Sequence, residues 1–390
     1  MNIGIVLSKT PSYSETFFIS KIKGLQNHGF DVTLFVQDKT NDFSLCYVRK
    51  APKVFNRNPP LQIITFLVMF FKILPFWSRI IRFINLEVAA NRSWFRIIKN
   101  IYNNAHILRA DLDWVHFGFT TLSLNSEHVA KAIGAKMAVS FRGFDLDLYP
   151  LKHPHCYDIL WKQVDRVHSI SKYLLNKALV LGLPDTIPYD IITPAVKIKK
   201  KSSPRDSHAI LKFVTVARLH WIKGLSETLE ALRMLKSRDV KFKYIIIGQG
   251  DEYEALKFAI SQLNLEWDVE LLGRKSHEET LYIIEDADIY LQYSYSEGFC
   301  NAVLEAQACG VLCVVSDGGG LNENIIHEET GWIVPKRRPE LLADRMYQVV
   351  KLPANKKYEI RYNAFQRVEN SFTLEKQSEA FLNFYNEHIN

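Results

Sequence analysis

Residues 289–310 read as a strand, a turn and a helix in unbroken succession, and few folds accommodate that order. Ile289-Tyr290-Leu291-Gln292-Tyr293 is an apolar run of strand length. Ala302 to Cys309 has helical composition and is closed by Gly310. A buried strand that feeds straight into a helix is the repeating unit of a parallel sheet covered on both faces. The same unit opens the chain. Ile3–Leu7 reads as a strand, Thr16–His28 as an amphipathic helix ended by Gly29, and Val32–Val36 as the next strand. With 390 residues, 47% hydrophobic and 23% charged, the chain has the size and composition of two α/β domains, not of a disordered segment.

The turn between strand and helix carries chemistry. Glu297 falls on it, and Glu305 lies about two helical turns further on. Gly298 allows close backbone approach to a ligand. The N–H groups of Phe299, Cys300 and Asn301 stand at the helix start, where they suit an anion or sugar oxygens. Carboxylates accept hydrogen bonds from paired hydroxyls. The stretch therefore suits a ligand that is both polyhydroxylated and anionic, such as a sugar nucleotide. A glutamate at a helix start is also an ordinary partner of the helix dipole, so the pair does not decide by itself.

The rest of the second half repeats the pattern. A strand from Lys212 to Ala217 leads into Arg218-Leu219-His220-Trp221-Ile222-Lys223-Gly224, and a helix follows over Leu225–Lys236. An arginine fork and a compact ammonium at that place suit a diphosphate, although both charges could simply be solvated. Phe242–Ile247 is a strand followed by Gly248-Gln249-Gly250. Val269–Leu272 is a strand followed by Gly273-Arg274-Lys275. Leu312–Ser316 is a strand followed by Gly318-Gly319-Gly320 and by Glu323, read as a helix-start residue.

Taken together, Glu297 and Glu305 as E-x7-E, Arg218–Gly224 as Arg-x4-Lys-Gly, Gly248-x-Gly250, and Gly-Gly-x-x-Glu ending at Glu323 resemble the retaining glycosyltransferases of family four. That resemblance implies the GT-B fold: two Rossmann-like domains facing a central cleft, with the last helix crossing back to the first. It implies Arg218 and Lys223 as diphosphate ligands and Glu305 on the ribose. Glu297, with the backbone of Gly298, Phe299, Cys300 and Asn301, would hold the sugar. Gly248 and Gly250 would let the nucleotide approach, and Arg274 would lie beside the base.

In the first half, Val115-His116-Phe117-Gly118 resembles the family's histidine motif, which sets His116 beside the transferred sugar; a lone histidine there is otherwise a satisfied core residue. Ser14-Glu15-Thr16 resembles a variant found in polysaccharide enzymes of the family and replaces the usual paired glycines; locally it also reads as a helix cap. Ser14, Glu15, Arg142 and Asp145 form the expected acceptor side, with Arg142 standing where relatives often carry histidine. Glu297, His116, Arg218 and Lys223 are the expected catalytic residues.

The expected domains are residues 1–195, 208–370 and a C-terminal helix over 371–390, with a linker at Pro194–Ser207 rich in Lys, Ser and Pro. The first domain carries a basic, apolar insert at about 55–108. Arg49 to Arg109 is dense in Lys and Arg and holds one acid, Glu87. Within it, Leu61–Phe71 is strongly apolar but too short to span a bilayer. Basic residues mixed with Trp, Phe and Ile suit a helix in the headgroup region of an anionic membrane; the alternative is a buried helical hairpin with a solvated basic face. No nucleic-acid module is present, so nucleic acid is not an expected partner.

Five scattered cysteines without a C-x-x-C pair point to a reducing compartment, and the short apolar start reads as a strand, not a leader. The triplets Asp111–Asp113, Asp145–Asp147 and Asp286–Asp288 have ordinary turn composition. No metal and no cofactor are expected, because the cations can neutralise a leaving diphosphate. The expected function is a retaining, metal-independent transfer from a nucleotide-sugar to a glycan or lipid-linked glycan acceptor in cell-surface polysaccharide synthesis. The expected setting is the cytoplasm, peripheral on the inner face of the cell membrane. An epimerase or phosphorylase on the same fold, or a non-catalytic sugar-nucleotide-binding protein, are the alternatives.

Overall fold

Two all-parallel sheets organise the chain. In a computed structural model, which describes residues 1–11, 16–39, 43–55, 57–198 and 210–386, the first sheet holds β1 (Asn2–Lys9), β2 (Asp31–Asp38), β3 (Tyr47–Lys50), β4 (Trp114–Phe117), β5 (Lys136–Phe141), β6 (Arg166–Ser169) and β7 (Tyr189–Ile191). Their order is β3-β2-β1-β4-β5-β6-β7. The second sheet holds β8 (Leu211–Val216), β9 (Phe242–Ile247), β10 (Val269–Gly273), β11 (Ile289–Gln292), β12 (Leu312–Ser316) and β13 (Trp332–Val334), in the order β10-β9-β8-β11-β12-β13. Every residue of β4, β6, β11 and β12 is buried, as strands covered by helices on both faces require.

The chain divides into two units. One comprises Met1–Ile170, Leu174–Ile192 and Ser378–Asn390; the other comprises Ser171–Tyr173 and Thr193–Gln377. In the first, Ile3, Ile5, Leu34 and Trp114 pack against Phe18, Ile22 and Leu25 of the helix Thr16–Asn27. The last helix, Leu374–Asn386, adds Phe381, Phe384 and Tyr385 to that same core. Fully burying an apolar side chain of this size stabilises by ~1.5–3 kcal/mol, so the last helix from Ser378 onward is integral to the first unit. In the second, Phe213, Leu291 and Val314 pack under Leu229 and Leu232 on one face, while Val214, Tyr290 and Val315 pack against Val303 and Ala306 on the other.

Strand order reverses between β1 and β4 and again between β8 and β11. The loops leaving the carboxyl ends of such neighbours diverge to opposite faces and open a crevice, the usual ligand position in open α/β sheets. In the second unit these are the loops after β8 and β11. They are stitched together where the Tyr295 N–H donates to the Ile222 carbonyl at 2.8 Å.

The basic insert forms three helices, Pro59–Ile73, Trp77–Ala89 and Trp94–Leu108, the first two joined by a turn over Leu74–Phe76 that contains Pro75. Two expectations change here. Leu61–Phe71 is not a self-contained short run but part of a helical stretch of 31 residues, Pro59–Ala89, with a mean hydropathy of 1.7 in its most apolar window. Only 6% of that window is buried, so the buried-hairpin alternative fails. Residues 199–207 of the expected linker lie outside the described residues.

Candidate active site

The crevice loops of the second unit bring Lys223 to Glu297. After β8 the chain makes one tight turn, Trp221–Lys223, and reverses at Gly224, whose φ is +59°. A side chain at Gly224 would strike the carbonyl oxygen of Tyr293, so glycine is required both for its angle and for the close approach of the two loops. The Lys223 ammonium donates to Glu297 Oε1 at 2.5 Å, and the two side chains are only 15% and 12% exposed.

The same oxygen is held twice more. The Ser294 hydroxyl donates to it at 2.8 Å and the Gln292 amide at 3.3 Å. Gln292 is itself oriented by the Tyr290 hydroxyl at 2.8 Å. Residues 290, 292 and 294 alternate along β11 and its extension, so they share one face. By sequence this segment is a plain apolar strand; the signal missed there is the polar side chain at every second position. Among the described residues Glu297 Oε2 has no partner, which leaves one oxygen for a ligand hydroxyl.

Glu305, on the helix Asn301–Ala308, is arranged in the same way. Its Oε1 lies 2.8 Å from His277 Nε2, and its Oε2 has no partner among the described residues. His277 opens the helix His277–Glu285, fixed by a capping box between Ser276 and Glu279. Sequence reasoning misses His277 as a site residue, because nothing local ties it to Glu305. Arg218 and Arg274 are exposed at the ends of β8 and β10, without a hydrogen-bond or ion-pair partner among the described residues. Two free guanidinium groups, one half-free ammonium and two half-free carboxylates on neighbouring loops suit an anion with hydroxyls attached.

Two expectations about backbone groups need correction. Gly248 (φ +149°) and Gly250 do not open space for a ligand: side chains there would strike the carbonyl oxygens of Ala217 and Leu219. They pack their turn against the loop that carries Arg218. Gly318 and Gly320 likewise press on the carbonyls of Ser294 and Gly298, which seats the Glu297 segment. The Cys300 N–H is not free, since Asn324 Oδ1 accepts it at 3.0 Å; the N–H groups of Gly298, Phe299 and Asn301 have no partner among the described residues. Burial, with the Glu297 charge adding to it, pushes the Cys300 thiol up to about 12, so it is no nucleophile near neutrality. Glu323 accepts the N–H groups of Lys172 and Tyr173 at 2.9 and 2.7 Å, the role of a helix cap.

In the first unit, His116 is wholly buried and presents no exposed surface, unlike the sugar-facing histidine expected. Its ring lies 2.6 Å from the Tyr385 hydroxyl, 2.8 Å from Ser140 Oγ and 3.2 Å from the Lys21 ammonium nitrogen. Burial, reinforced by the Lys21, His168 and Arg142 charges, pulls its pKa well down and keeps it neutral. Asp145 is also wholly buried: it accepts the N–H groups of Thr120 and Thr121 at 3.1 and 3.3 Å and the Thr121 hydroxyl at 2.7 Å, capping that turn instead of facing an acceptor. The Arg142 guanidinium lies 4.2 Å from the Phe17 ring centre and 5.1 Å from that of Phe18. Ser14 and Glu15 lie outside the described residues.

The first unit has its own cavity of about 470 Å³ at the carboxyl ends of β1 and β2, walled on one side by the helix Trp94–Leu108. Gln37, Asn103, Asn104, Thr121 and Ser126 give it amide and hydroxyl groups, and Asp38 adds a carboxylate. The aspartate triplets are engaged elsewhere. Asp111 pairs with Arg79, Asp147 with Lys177 (3.3 Å) and Asp286 with Lys212 (2.6 Å). Asp113 and Asp288 accept the N–H groups of Asn2 (2.6 Å) and Lys212 (2.9 Å).

Residues 197–367, which include Arg218, Lys223, Glu297 and Glu305, match the family described as glycosyl transferases group 1. An amylovoran biosynthesis glycosyltransferase of Erwinia amylovora is 33% identical over 244 residues; the match takes in 60% of each chain, less than two thirds of that relative's length. An Escherichia coli K12 protein named for colanic acid biosynthesis is 27% identical over 399 residues, covering 95% of this chain and 96% of the relative. Anabaena HepE, solved in complex with UDP and glucose, superposes with a TM-score of 0.72 at 15% identity over 99% of this chain and 100% of the other. The two sheets are the two Rossmann-like domains of the GT-B fold.

Proposed function

We propose that this protein is a glycosyltransferase that moves a sugar from a nucleotide-sugar donor to a glycan or lipid-linked glycan acceptor during synthesis of a cell-surface polysaccharide, with retention at the anomeric carbon and without a metal. The observation that carries the reading is the Lys223–Glu297 pair at the reversal point of the second sheet, each partner with hydrogen-bonding capacity to spare. An ammonium has three N–H donors, and one goes to Glu297. The remaining donors, with the Arg218 fork, suit the diphosphate. Glu297 Oε2 and the free N–H groups of Gly298, Phe299 and Asn301 suit the sugar hydroxyls, and Glu305 the ribose.

In the reaction the bond between the anomeric carbon and the diphosphate oxygen breaks, and negative charge gathers on that oxygen. Lys223 and Arg218 stabilise that charge where it develops, and such preorganised electrostatics commonly lower the barrier more than any other single effect. The acceptor hydroxyl attacks from the same face, and its proton passes to the departing phosphate oxygen. Glu297 is tied to Lys223, Ser294 and Gln292, so it positions the sugar and does not attack it. On the acceptor side, the amide-lined cavity of the first unit suits a glycan. The polysaccharide setting rests on the names of the Erwinia and Escherichia relatives.

The test is transfer of labelled sugar from a panel of UDP- and GDP-sugars to a lipid-linked glycan, with the product anomer read by NMR. Transfer with retained configuration, unchanged by a chelator, is expected. Inversion, loss of activity with the chelator, isomerised donor without acceptor, or a need for free phosphate would each overturn the reading.

A further inference from the structure

From Arg49 to Arg109 stand eleven lysines and arginines and one acid. The rest of the chain has 38 basic and 41 acidic residues, so the protein's net positive charge resides in this span, the insert and its flanks. The one acid, Glu87, is fully buried and taken up by His128 (2.6 Å), Asn100 (2.7 Å) and Arg92 (3.5 Å). The solvent-facing side of the insert thus carries no negative charge.

That side is also apolar. On Pro59–Ile73, Ile63, Ile64, Leu67, Val68, Phe70 and Phe71 are 47–67% exposed. On the next helix Trp77, Ile81 and Val88 are exposed, and their spacing sets them along one stripe. A core helix would hide such residues and a leader would stand at the start of the chain; this stretch begins at residue 59 and only 6% of its most apolar window is buried. Nor is it built to cross a bilayer. Pro59–Ile73 is ~22 Å long by the helical rise, against ~30 Å of hydrocarbon. Beyond Pro75 the chain is fastened down: Phe83 and Glu87 are buried, and Arg79 reaches Asp111 and, at 2.8 Å, the Ala110 carbonyl.

We propose that the insert docks this protein on an anionic lipid bilayer, with Pro59–Ile73 and the Trp77–Ile81–Val88 stripe lying at the boundary of headgroups and acyl chains. Exposed Lys72, Arg82, Arg96 and Lys99 meet the lipid phosphates. The third helix of the insert also walls the amide-lined cavity, so docking sets that cavity at the membrane surface. This goes beyond the transfer reading and does not depend on it.

The experiment is flotation of the full chain with vesicles of phosphatidylcholine alone and of phosphatidylcholine with phosphatidylglycerol. Binding to the anionic vesicles is expected to be at least roughly tenfold stronger, and to fall by roughly tenfold in the pairs Ile64→Gln with Phe71→Gln and Lys72→Glu with Arg82→Glu. The thermal shift produced by donor in vesicle-free solution should be the same in wild type and both variants, which shows that they fold. If the transfer reading fails, that shift is absent while flotation persists. Three results would overturn docking: wild type left in the aqueous fraction, variants that float like wild type, or a vesicle-free dimer that the Ile64/Phe71 pair dissociates.

Discussion

Lys223 and Glu297 stand 74 residues apart in sequence and meet at 2.5 Å. Their loops meet because β8 and β11 are neighbours in the sheet, although the chain visits β9 and β10 between them. In the proposed site, removing either side chain takes away one donor contact, and it leaves the other charge unbalanced in a largely enclosed place. Lys223→Ala and Glu297→Ala are each expected to lower transfer by ~10²–10³, the loss typical of one oriented electrostatic contact. Steady-state rates, beside circular dichroism to confirm folding, decide this; wild-type rates in both variants would refute the assignment.

In the proposed site His277 acts through Glu305, 2.8 Å away, and is a positioning residue. Loss of one such hydrogen bond costs ~1 kcal/mol, or about fivefold. His277→Ala is therefore expected to raise the donor KM about fivefold, with kcat little changed and His277→Gln partly restoring it. A fall in kcat at unchanged KM would contradict that role.

The glycines and the cations of the second unit should separate cleanly by assay. Gly248→Ala forces a side chain into the Ala217 carbonyl at a φ that only glycine takes readily, and should destabilise by more than ~2 kcal/mol. Arg218→Ala alters an exposed side chain, so its stability should stay within ~0.5 kcal/mol while transfer falls. Denaturant unfolding and rates, measured on both variants, check the contrast.

These differences mark how far the sequence could be read. Apolar runs gave the strands, and the strand-to-helix turns gave Arg218, Lys223, Glu297 and Glu305 as candidates; the structure brings Lys223 and Glu297 together because their strands are neighbours in the sheet. His277 was invisible because its partner lies 28 residues away on another helix. The glycine turns were misread for the same reason, since the carbonyls they avoid belong to distant loops. His116 has the look of a site residue in sequence, but Tyr385, from the other end of the chain, covers it. The exposure of the insert could not be read either: the same apolar residues would serve a buried hairpin.

Two buried imidazoles and one half-buried imidazole make stability depend on pH. Burial, with the Arg49 charge nearby, pulls His106 from 6.5 to about 4, and His116 and His168 are also pulled down. In each case the folded pKa lies below the unfolded one. As pH falls through about 6.5 the unfolded chain takes up protons that the folded chain refuses, so stability is lost toward pH 4. His106 alone accounts for ~3 kcal/mol of that loss. Denaturant unfolding at pH 7, 6, 5 and 4.5 should show the decline, and His106→Gln should make it shallower. Constant stability over that range would exclude neutral buried histidines.

The most direct test is calorimetric titration of UDP- and GDP-sugars into the wild type, Arg218→Ala and Lys223→Ala. One donor class should bind the wild type, with affinity lowered at least roughly tenfold in each variant, as loss of a charge-assisted hydrogen bond requires. If no donor binds, or if both variants bind as the wild type does, the crevice between β8 and β11 is not the donor site.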